Sequence, residues 1–234
     1  MQHDFILLDR SGSMEALWGE ALSSINAYVA KLSADKVDTG VTLAAFDAID
    51  GSSSFEIVRD RIIPATWMAV TANEIMPRGM TPLNDATGRI VNLARAGNYE
   101  KVAIIIMTDG MENASVELTV SQAKALLDDC RAKNWQVIFL GANFDNAKQA
   151  RGYGNSQAAT IQAAPAALVR TMQSAAVQRG VYATSGSAMA WSEAEKQELG
   201  SGDKADLGKS DSAAEVDGVS TWKRAWQRLT ATGH

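Results

Sequence analysis

Cysteine, histidine and proline are scarce in this chain of 234 residues, which holds one Cys, two His and four Pro. A lone thiol, Cys130, closes no internal disulfide, and its setting in ALLDDCRAKNW predicts a core-filling residue near the end of an amphipathic helix. The histidines, His3 and His234, stand at the two ends of the chain and read as solvated. A serine hydrolase therefore lacks its base, and a zinc site lacks its usual ligands. The longest apolar run, residues 102–107, falls far short of the ~18 residues of a membrane span, and no basic segment precedes a long apolar stretch at the start. The expectation is a soluble, cytoplasmic protein. An excess of basic charge is absent as well: 22 Lys and Arg face 27 Asp and Glu, a formal net charge of −5, which removes the positive field that nucleic-acid binding needs. What remains, at 46% hydrophobic, is enough for one full-sized domain with a proper core.

Residues 5–8 (FILL) and 101–108 (KVAIIIMT) are apolar without alternation, the pattern of strands covered on both faces of a sheet. Between them Trp18, Leu22, Ile25, Val29 and Leu32 step by four and three, which predicts a helix with one buried face. Residues 41–46 read as a second strand, and 55–63, carrying Arg59, Asp60 and Arg61, as a half-exposed edge strand. A loop with Pro77, Gly79 and Pro82 leads to a helix over 83–96. Further along, the pattern predicts a helix over 118–133, a strand over 135–140, a helix opening at 145–150, a short strand at 159–162 and a helix over 165–178. This alternation argues for a doubly wound, mostly parallel α/β sheet with helices on both faces, in which ligands bind at the carboxyl ends of the strands.

After residue 184 the composition shifts. Residues 185–218 are poor in apolar side chains and read as a mobile or loosely packed acidic tail. Eight acidic and three basic residues between 193 and 217 account for the whole net charge. In residues 219–234, Val219, Trp222, Trp226 and Leu229 mark a short amphipathic helix that either docks on the body or offers Trp222 and Trp226 to a partner.

The chemistry gathers after two strands expected at the centre of the sheet. Asp9-Arg-Ser11-Gly-Ser13 follows the first and Thr108-Asp109-Gly110 the fourth, while the loop Pro77-Arg-Gly-Met-Thr81-Pro-Leu is placed to fold over the same spot. Together they offer two carboxylates and three hydroxyls with no His or Cys, a hard-oxygen set suited to Mg²⁺ or Mn²⁺. Asp47 and Glu112 lie near enough to support that set from behind. Asp85 reads as a helix-terminal charge, and Asn143 and Asp145 as caps of the next helix.

The pattern Asp9-x-Ser11-x-Ser13, then Thr81, then Asp109, each after its strand or loop, resembles the metal-ion-dependent adhesion site of von Willebrand factor A domains. The resemblance covers roughly residues 4–180. It implies the sheet order 3-2-1-4-5-6 with an antiparallel edge strand. It also implies metal ligation by Ser11, Ser13, Thr81, Asp9 and Asp109, with an Asp or Glu of a protein partner completing the coordination. The stretches DRSGSM, RGMTPLNDA and TDGMENAS look most like small stand-alone A-domain proteins of bacteria and their phages. For these the resemblance implies adaptor or assembly roles beside AAA-type ATPases and similar machines.

Other readings compete with this one. A haloacid-dehalogenase-type phosphatase would need a carboxylate where this chain has Ser11, and a metal-dependent hydrolase would need a tuned base that the neighbourhood does not offer. GxxxxGK[ST] is absent, so nucleotide binding has no support. A non-enzymatic, Mg²⁺-dependent interaction module is the leading expectation. A structural component held through the Trp222 and Trp226 helix is the alternative, and self-ligation of the metal by the acidic tail is a third.

Overall fold

Side-chain direction along the buried strands explains why they lack alternation. In β1 (Gln2–Asp9), Ile6 and Leu8 enter one apolar cluster while Phe5 and Leu7 enter another on the opposite face. The same division runs through β4 (Lys101–Met107), where Ala103, Ile105 and Met107 face one cluster and Val102, Ile104 and Ile106 the other. Successive side chains point to opposite faces, so a strand buried on both must be apolar at every step.

The computed structural model describes residues 1–141, 150–154 and 159–200. Six strands form one sheet in the order β3-β2-β1-β4-β5-β6, with β2 at Gly40–Ile49, β3 at Ser52–Ile62, β5 at Gln136–Gly141 and β6 at Thr160–Gln162. Only β3 among these pairs antiparallel, at the edge where its charged residues led to its placement. Helices α1 (Trp18–Ala34) and α4 (Leu168–Ser185) supply the first cluster; α2 (Leu83–Ala96) and α3 (Val120–Ala132) supply the second. Cys130, on α3, is buried in the second cluster as expected, and burial pushes its thiol pKa up. No helix among the described residues is long and apolar enough to cross a membrane.

The segment between β3 and α2 is pinned over α1 by indole and amide groups. Trp18 Nε1 donates to the Ile75 carbonyl at 3.0 Å, and Asn26 exchanges hydrogen bonds with the backbone of Val70 while accepting one from Trp67 Nε1. A 20-residue connection of irregular backbone thus arrives at the sheet's carboxyl end in a fixed position.

Two expectations need correction. His3 is not solvated: it is 2% exposed in β1, its ring stacks on Tyr99 at 4.5 Å between centroids, and Nε2 lies 2.8 Å from Thr42 Oγ1. The strand carries it under Tyr99 because pairing begins at Gln2. Nor does the loose tail expected from residue 185 begin there. Helix α4 continues seven residues past the predicted end, to a left-handed cap at Gly186, with Arg179 and Tyr182 of the added turns buried. Beyond it Met189 and Trp191 are each 2% exposed, with Trp191 Nε1 donating to Ser174 Oγ at 2.9 Å. A further helix, α5 (Glu193–Gly200), follows, capped reciprocally by Ser192 and Glu195. Composition hides two anchoring side chains among Gly, Ser and acids. The predicted helix at 145–150 and its caps Asn143 and Asp145 lie outside the described residues except at Ala150, as do the tail beyond 200, Trp222, Trp226 and His234.

Candidate metal centre

Strands β1 and β4 are neighbours at the centre of the sheet and are in register from Gln2 opposite Lys101 to Leu8 opposite Met107. Their carboxyl ends therefore release Asp9 and Thr108-Asp109 side by side, at the point where the strand order reverses. The loop after β1 turns at once into a short 3₁₀ helix, Gly12–Leu17, which carries Ser13 and holds Ser11 at its N-cap. The third loop is fixed by a short antiparallel bridge, Ala48 with Met80, extending β2. Gly79 has φ +69°, and a Cβ there would lie 2.2 Å from the Ala48 carbonyl oxygen, so this close approach requires glycine.

All five sequence-predicted residues meet there. Asp9 Oδ1 accepts from the Ser11 backbone N–H at 2.7 Å, and Asp9 Oδ2 from Thr108 Oγ1 at 2.6 Å. Ser11 Oγ and Ser13 Oγ are 3.1 Å apart, and Ser13 Oγ donates to Asp109 Oδ1 at 2.8 Å. Thr81 closes the circle from above: a Cβ built on Gly110 would lie 3.0 Å from Thr81 Oγ1, 3.2 Å from Ser13 Oγ and 3.6 Å from Asp9 Oδ2. The bare Cα of Gly110 thus leaves open a cradle bounded by oxygens from three loops.

Its electrostatics are those of a site short of positive charge. Burial pushes the Asp9 carboxyl up to about 6, against the hydrogen bonds from Thr108 and Ser11 that pull it down, and the charge of Asp109 adds to the rise. Burial raises Asp109 too, opposed by the Ser13 hydroxyl. The nearest guanidinium groups are turned elsewhere. Arg10 Nε binds Asp47 Oδ1 at 2.9 Å and its Nη1 binds Glu56, while Arg78 Nε takes the other Asp47 oxygen at 2.8 Å. A hard divalent cation fits this donor set of carboxylate and hydroxyl oxygens, with no nitrogen or sulfur among them. Among the described residues no three His, Cys, Asp or Glu side chains gather as a metal-binding group, so the acidic centre is a pair supplemented by hydroxyls.

The flanking acids hold the loops around the cradle. Asp47 bridges two arginines and so ties the Ser11 loop to the Thr81 loop, an arrangement completed by Gly12 N–H to Gly79 O at 3.0 Å and Arg78 N–H to Arg10 O. Glu112 accepts from the backbone N–H groups of Asn84, Ala114 and Ser115 and from Ser115 Oγ. Asp85 accepts from the backbone N–H groups of Val116, Glu117 and Leu118. Besides lying in the first turn of α2, it thus holds down the loop after β4. Sequence reasoning passed over Thr108 as a site residue, Arg10, Arg78 and Asn113. Asn113 binds Thr81 in both directions, N–H to Thr81 O at 3.1 Å and Oδ1 from Thr81 N–H at 2.9 Å. Only the TDG run offered a signal for Thr108; arginines beside an acid-rich loop read as surface.

No protein-family model and no curated protein matches this sequence. Solved structures do match the fold. The von Willebrand factor domain of the type V pili tip protein Mfa5 from Porphyromonas gingivalis superposes with a TM-score of 0.59 at 11% identity, over 80% of this chain and 97% of that one. Manganese-loaded TRAP protein from Plasmodium vivax gives 0.53 at 18% identity, over 73% and 71% of the two chains. A von Willebrand factor type A protein from Catenulispora acidiphila gives 0.50 at 14%, over 76% of this chain and 42% of that one. Together with the sheet order and the single antiparallel edge strand, these likenesses show that the chain has the von Willebrand factor A-type fold.

Proposed function

We propose that the protein is a Mg²⁺-dependent protein-interaction module, in which Asp9, Ser11, Ser13, Thr81 and Asp109 hold Mg²⁺, or Mn²⁺ in its place. An Asp or Glu of a partner completes the coordination. The observation that carries this reading is the convergence of three loops on the Gly110 cradle, with oxygens of Thr81, Ser13 and Asp9 all within 3.6 Å of one point. Bound there, the cation supplies a focused positive charge for an incoming carboxylate. The three hydroxyls add lone pairs without adding negative charge, so two carboxylates do not over-neutralise a divalent ion. Thr108 and the Ser11 N–H fix both oxygens of Asp9 before any ligand arrives, and the Asp47 bridge holds the first and third loops at a constant spacing.

Catalysis forms no part of this reading. His3 stands at the far end of β1, about 20 Å from Asp9 at ~3.3 Å per residue, and is committed to Thr42 and Tyr99. The neighbours named above include a pilus tip protein and a manganese-loaded protein, which supports binding by a metal-bearing face. On this reading the protein works in the cytoplasm with its one thiol reduced, and its partner is a protein of an assembly machine or an AAA-type ATPase. A thermal melt of wild type and Asp9→Ala in EDTA or 10 mM Mg²⁺ tests the metal. A Kd of about 1 mM gives RT ln 11, about 1.4 kcal/mol, or roughly 3–6 °C, in wild type alone. No shift in wild type overturns the reading.

A further inference from the structure

Toward the amino end of β1, away from the metal cradle, strand β3 leaves its regular path beside a cavity of about 250 Å³. Where β2 takes two steps, from Leu43 to Val41, β3 takes three, from Arg59 to Ile62, and it gains another residue between Ile57 and Arg59. Arg61, within this bulged stretch, has φ +51°, a left-handed backbone that arginine keeps only where its surroundings hold it. Its N–H donates to Thr42 Oγ1 at 3.1 Å. The facing wall turns on a second left-handed residue, Asn98 at φ +44°, after which Tyr99 folds back over the end of α2. A Cβ on Gly97 would collide with the Tyr99 ring, so this wall requires glycine. His3 stacks on that ring and Phe5 meets it edge-on at 5.8 Å between centroids. Bulges and left-handed non-glycine residues gather where a chain shapes a site.

Phe5, Ile57, Leu93 and Ala96 give the cavity an apolar lining. Among the described residues, the charged side chains that line it are Asp60 and Arg61, and they bind each other. Arg61 Nη2 and Nε reach one oxygen, Asp60 Oδ2, at 2.9 and 3.2 Å. The two charges thus offset one another, while Asp60 Oδ1 keeps its lone pairs for an incoming donor. The last turn of α2, which lines the cavity through Leu93, Ala96 and Gly97, adds the negative end of the helix dipole. We propose that this cavity binds a primary ammonium group carried on an apolar stem. The stem lies against Phe5, Ile57 and Leu93, and the ammonium donates to Asp60 Oδ1 beside the end of α2. Drug-sized ligands occupy about 300–1,000 Å³, so this smaller space suits a short alkylamine or the side chain of a lysine. A carboxylate would face both Asp60 and the helix end, and could reach Arg61 only by taking it from its partner. The proposal is independent of the metal reading, since the cavity stands apart from Asp9 and uses none of the five oxygens.

The test titrates the full-length protein with 4-phenylbutylamine, 4-phenylbutanol and 4-phenylbutanoate, followed in ¹H–¹⁵N spectra with and without 10 mM Mg²⁺. The amine should shift the signals of Thr42, Gly97 and Tyr99, and should bind at least about tenfold more tightly than the alcohol or the acid. Mg²⁺ should leave its affinity unchanged. Asp60→Asn should remove the preference for the amine and Asp60→Glu should keep it. Both changes fall on an exposed pair, so the melting temperature should not move. Ala96→Phe places a ring in the cavity without altering charge and should abolish binding. Nα-acetyl-lysine methylamide separates two sources of the same group. Binding as tight as the free amine's assigns the cavity to a lysine of a partner protein, whereas binding of the free amine alone assigns it to a small amine. Equal binding of the three phenylbutyl compounds, tighter binding of the acid, or no binding of the amine at millimolar concentration overturns the proposal. Binding that survives both Asp60→Asn and Ala96→Phe overturns it too, as do shifts that centre on Asp9 and Gly110 and vanish in Mg²⁺, which place the ammonium in the cradle.

Discussion

Thr108 Oγ1 donates a 2.6 Å hydrogen bond to Asp9 Oδ2, joining the ends of the two central strands across 99 residues of chain. A hydroxyl at that point holds a buried carboxylate in one orientation and contributes no charge. Thr108→Val removes the donor while keeping the shape, so the metal-free protein should lose about 1–2 kcal/mol for an imperfectly satisfied buried acceptor. Mg²⁺ affinity should fall about tenfold, as for residues that orient a ligand from behind. Thr108→Ser should restore both. Melting in EDTA and calorimetric titration with Mg²⁺ measure the two effects separately, and an unchanged affinity in Thr108→Val refutes the orienting role.

Asp47 offers a sharper contrast between holding a loop and binding a metal. It is fully buried and takes both Arg10 and Arg78, so Asp47→Ala leaves the buried Arg10 guanidinium with Glu56 as its remaining acidic partner. The expected cost is about 3 kcal/mol in urea unfolding, because the buried guanidinium is left with only a half-exposed partner. Glu56 is half exposed, and Glu56→Gln should cost under about 1 kcal/mol. If the two variants lose equal stability, Asp47 is not the member that ties the loops.

These residues divide the site into a part that was legible in the sequence and a part that was not. DRSGS, the GMTPL loop and TDG each contain the side chain that meets the cradle, and each directly follows or precedes an element whose period is unambiguous, so placing the elements placed the oxygens. The tasks of Asp47, Glu112 and Asp85 were not legible. A carboxylate that accepts from three backbone N–H groups has the same letter as one that faces a metal, and only the loop's path decides between them. The fold was readable for a related reason: FILL and VAIIIM need cover on both faces, which an α/β sheet flanked by helices supplies. The end of the body was misjudged because Met189 and Trp191 are two anchors in a polar stretch, too few to register as periodicity.

That misjudged end yields its own prediction. Trp191 is buried and bonded to Ser174, so Trp191→Ala should cost about 3–5 kcal/mol, the usual range for deleting a core aromatic. A chain ending after residue 185 should be destabilised comparably, whereas one ending after 200 keeps both anchors. Chemical denaturation of the two truncations decides this, and it makes 200 the safer cut for separating the metal site from the tail in binding experiments. Equal stability of the two would show that residues 186–200 add nothing to the body.

Acid sensitivity should arise at the other end of the sheet. Burial above all, opposed by Asp60 and helped by Arg61 and Arg179, lowers the His3 pKa from 6.5 to about 4. The folded state therefore binds fewer protons than the unfolded chain between these two values. Stability attributable to His3 is complete above about 6.5 and is lost as pH falls toward 4, by about 3 kcal/mol at ~1.4 kcal/mol per unit. The difference in unfolding free energy between wild type and His3→Gln should shrink over that window. Buried carboxylates titrate in both proteins and cancel in the difference, so a pH-independent difference would show that His3 does not carry the effect.

A long-range tie in the core joins Arg179 of α4 to Asp4 of β1, both fully buried, at 2.5 Å from Nε to Oδ1. Tyr28 and Thr39 donate to the same carboxylate, and Arg179 also reaches Gln2 and Thr39. Removing one partner strands a charge in an apolar setting, so Arg179→Met should lose about 3–5 kcal/mol in urea unfolding. Removing both charges should cost less: Arg179→Met with Asp4→Asn should recover more than half of that loss, since the amide oxygen can accept from one of the two hydroxyls and its NH2 donate to the other once that hydroxyl turns. The pair lies at the opposite end of β1 from Asp9, so the Mg²⁺ melting shift should survive in every variant that folds. Additive losses in the double variant would place the stabilisation in packing rather than in the ion pair. A lost Mg²⁺ shift would mean that the seating of α4 is coupled to the cradle through the length of β1.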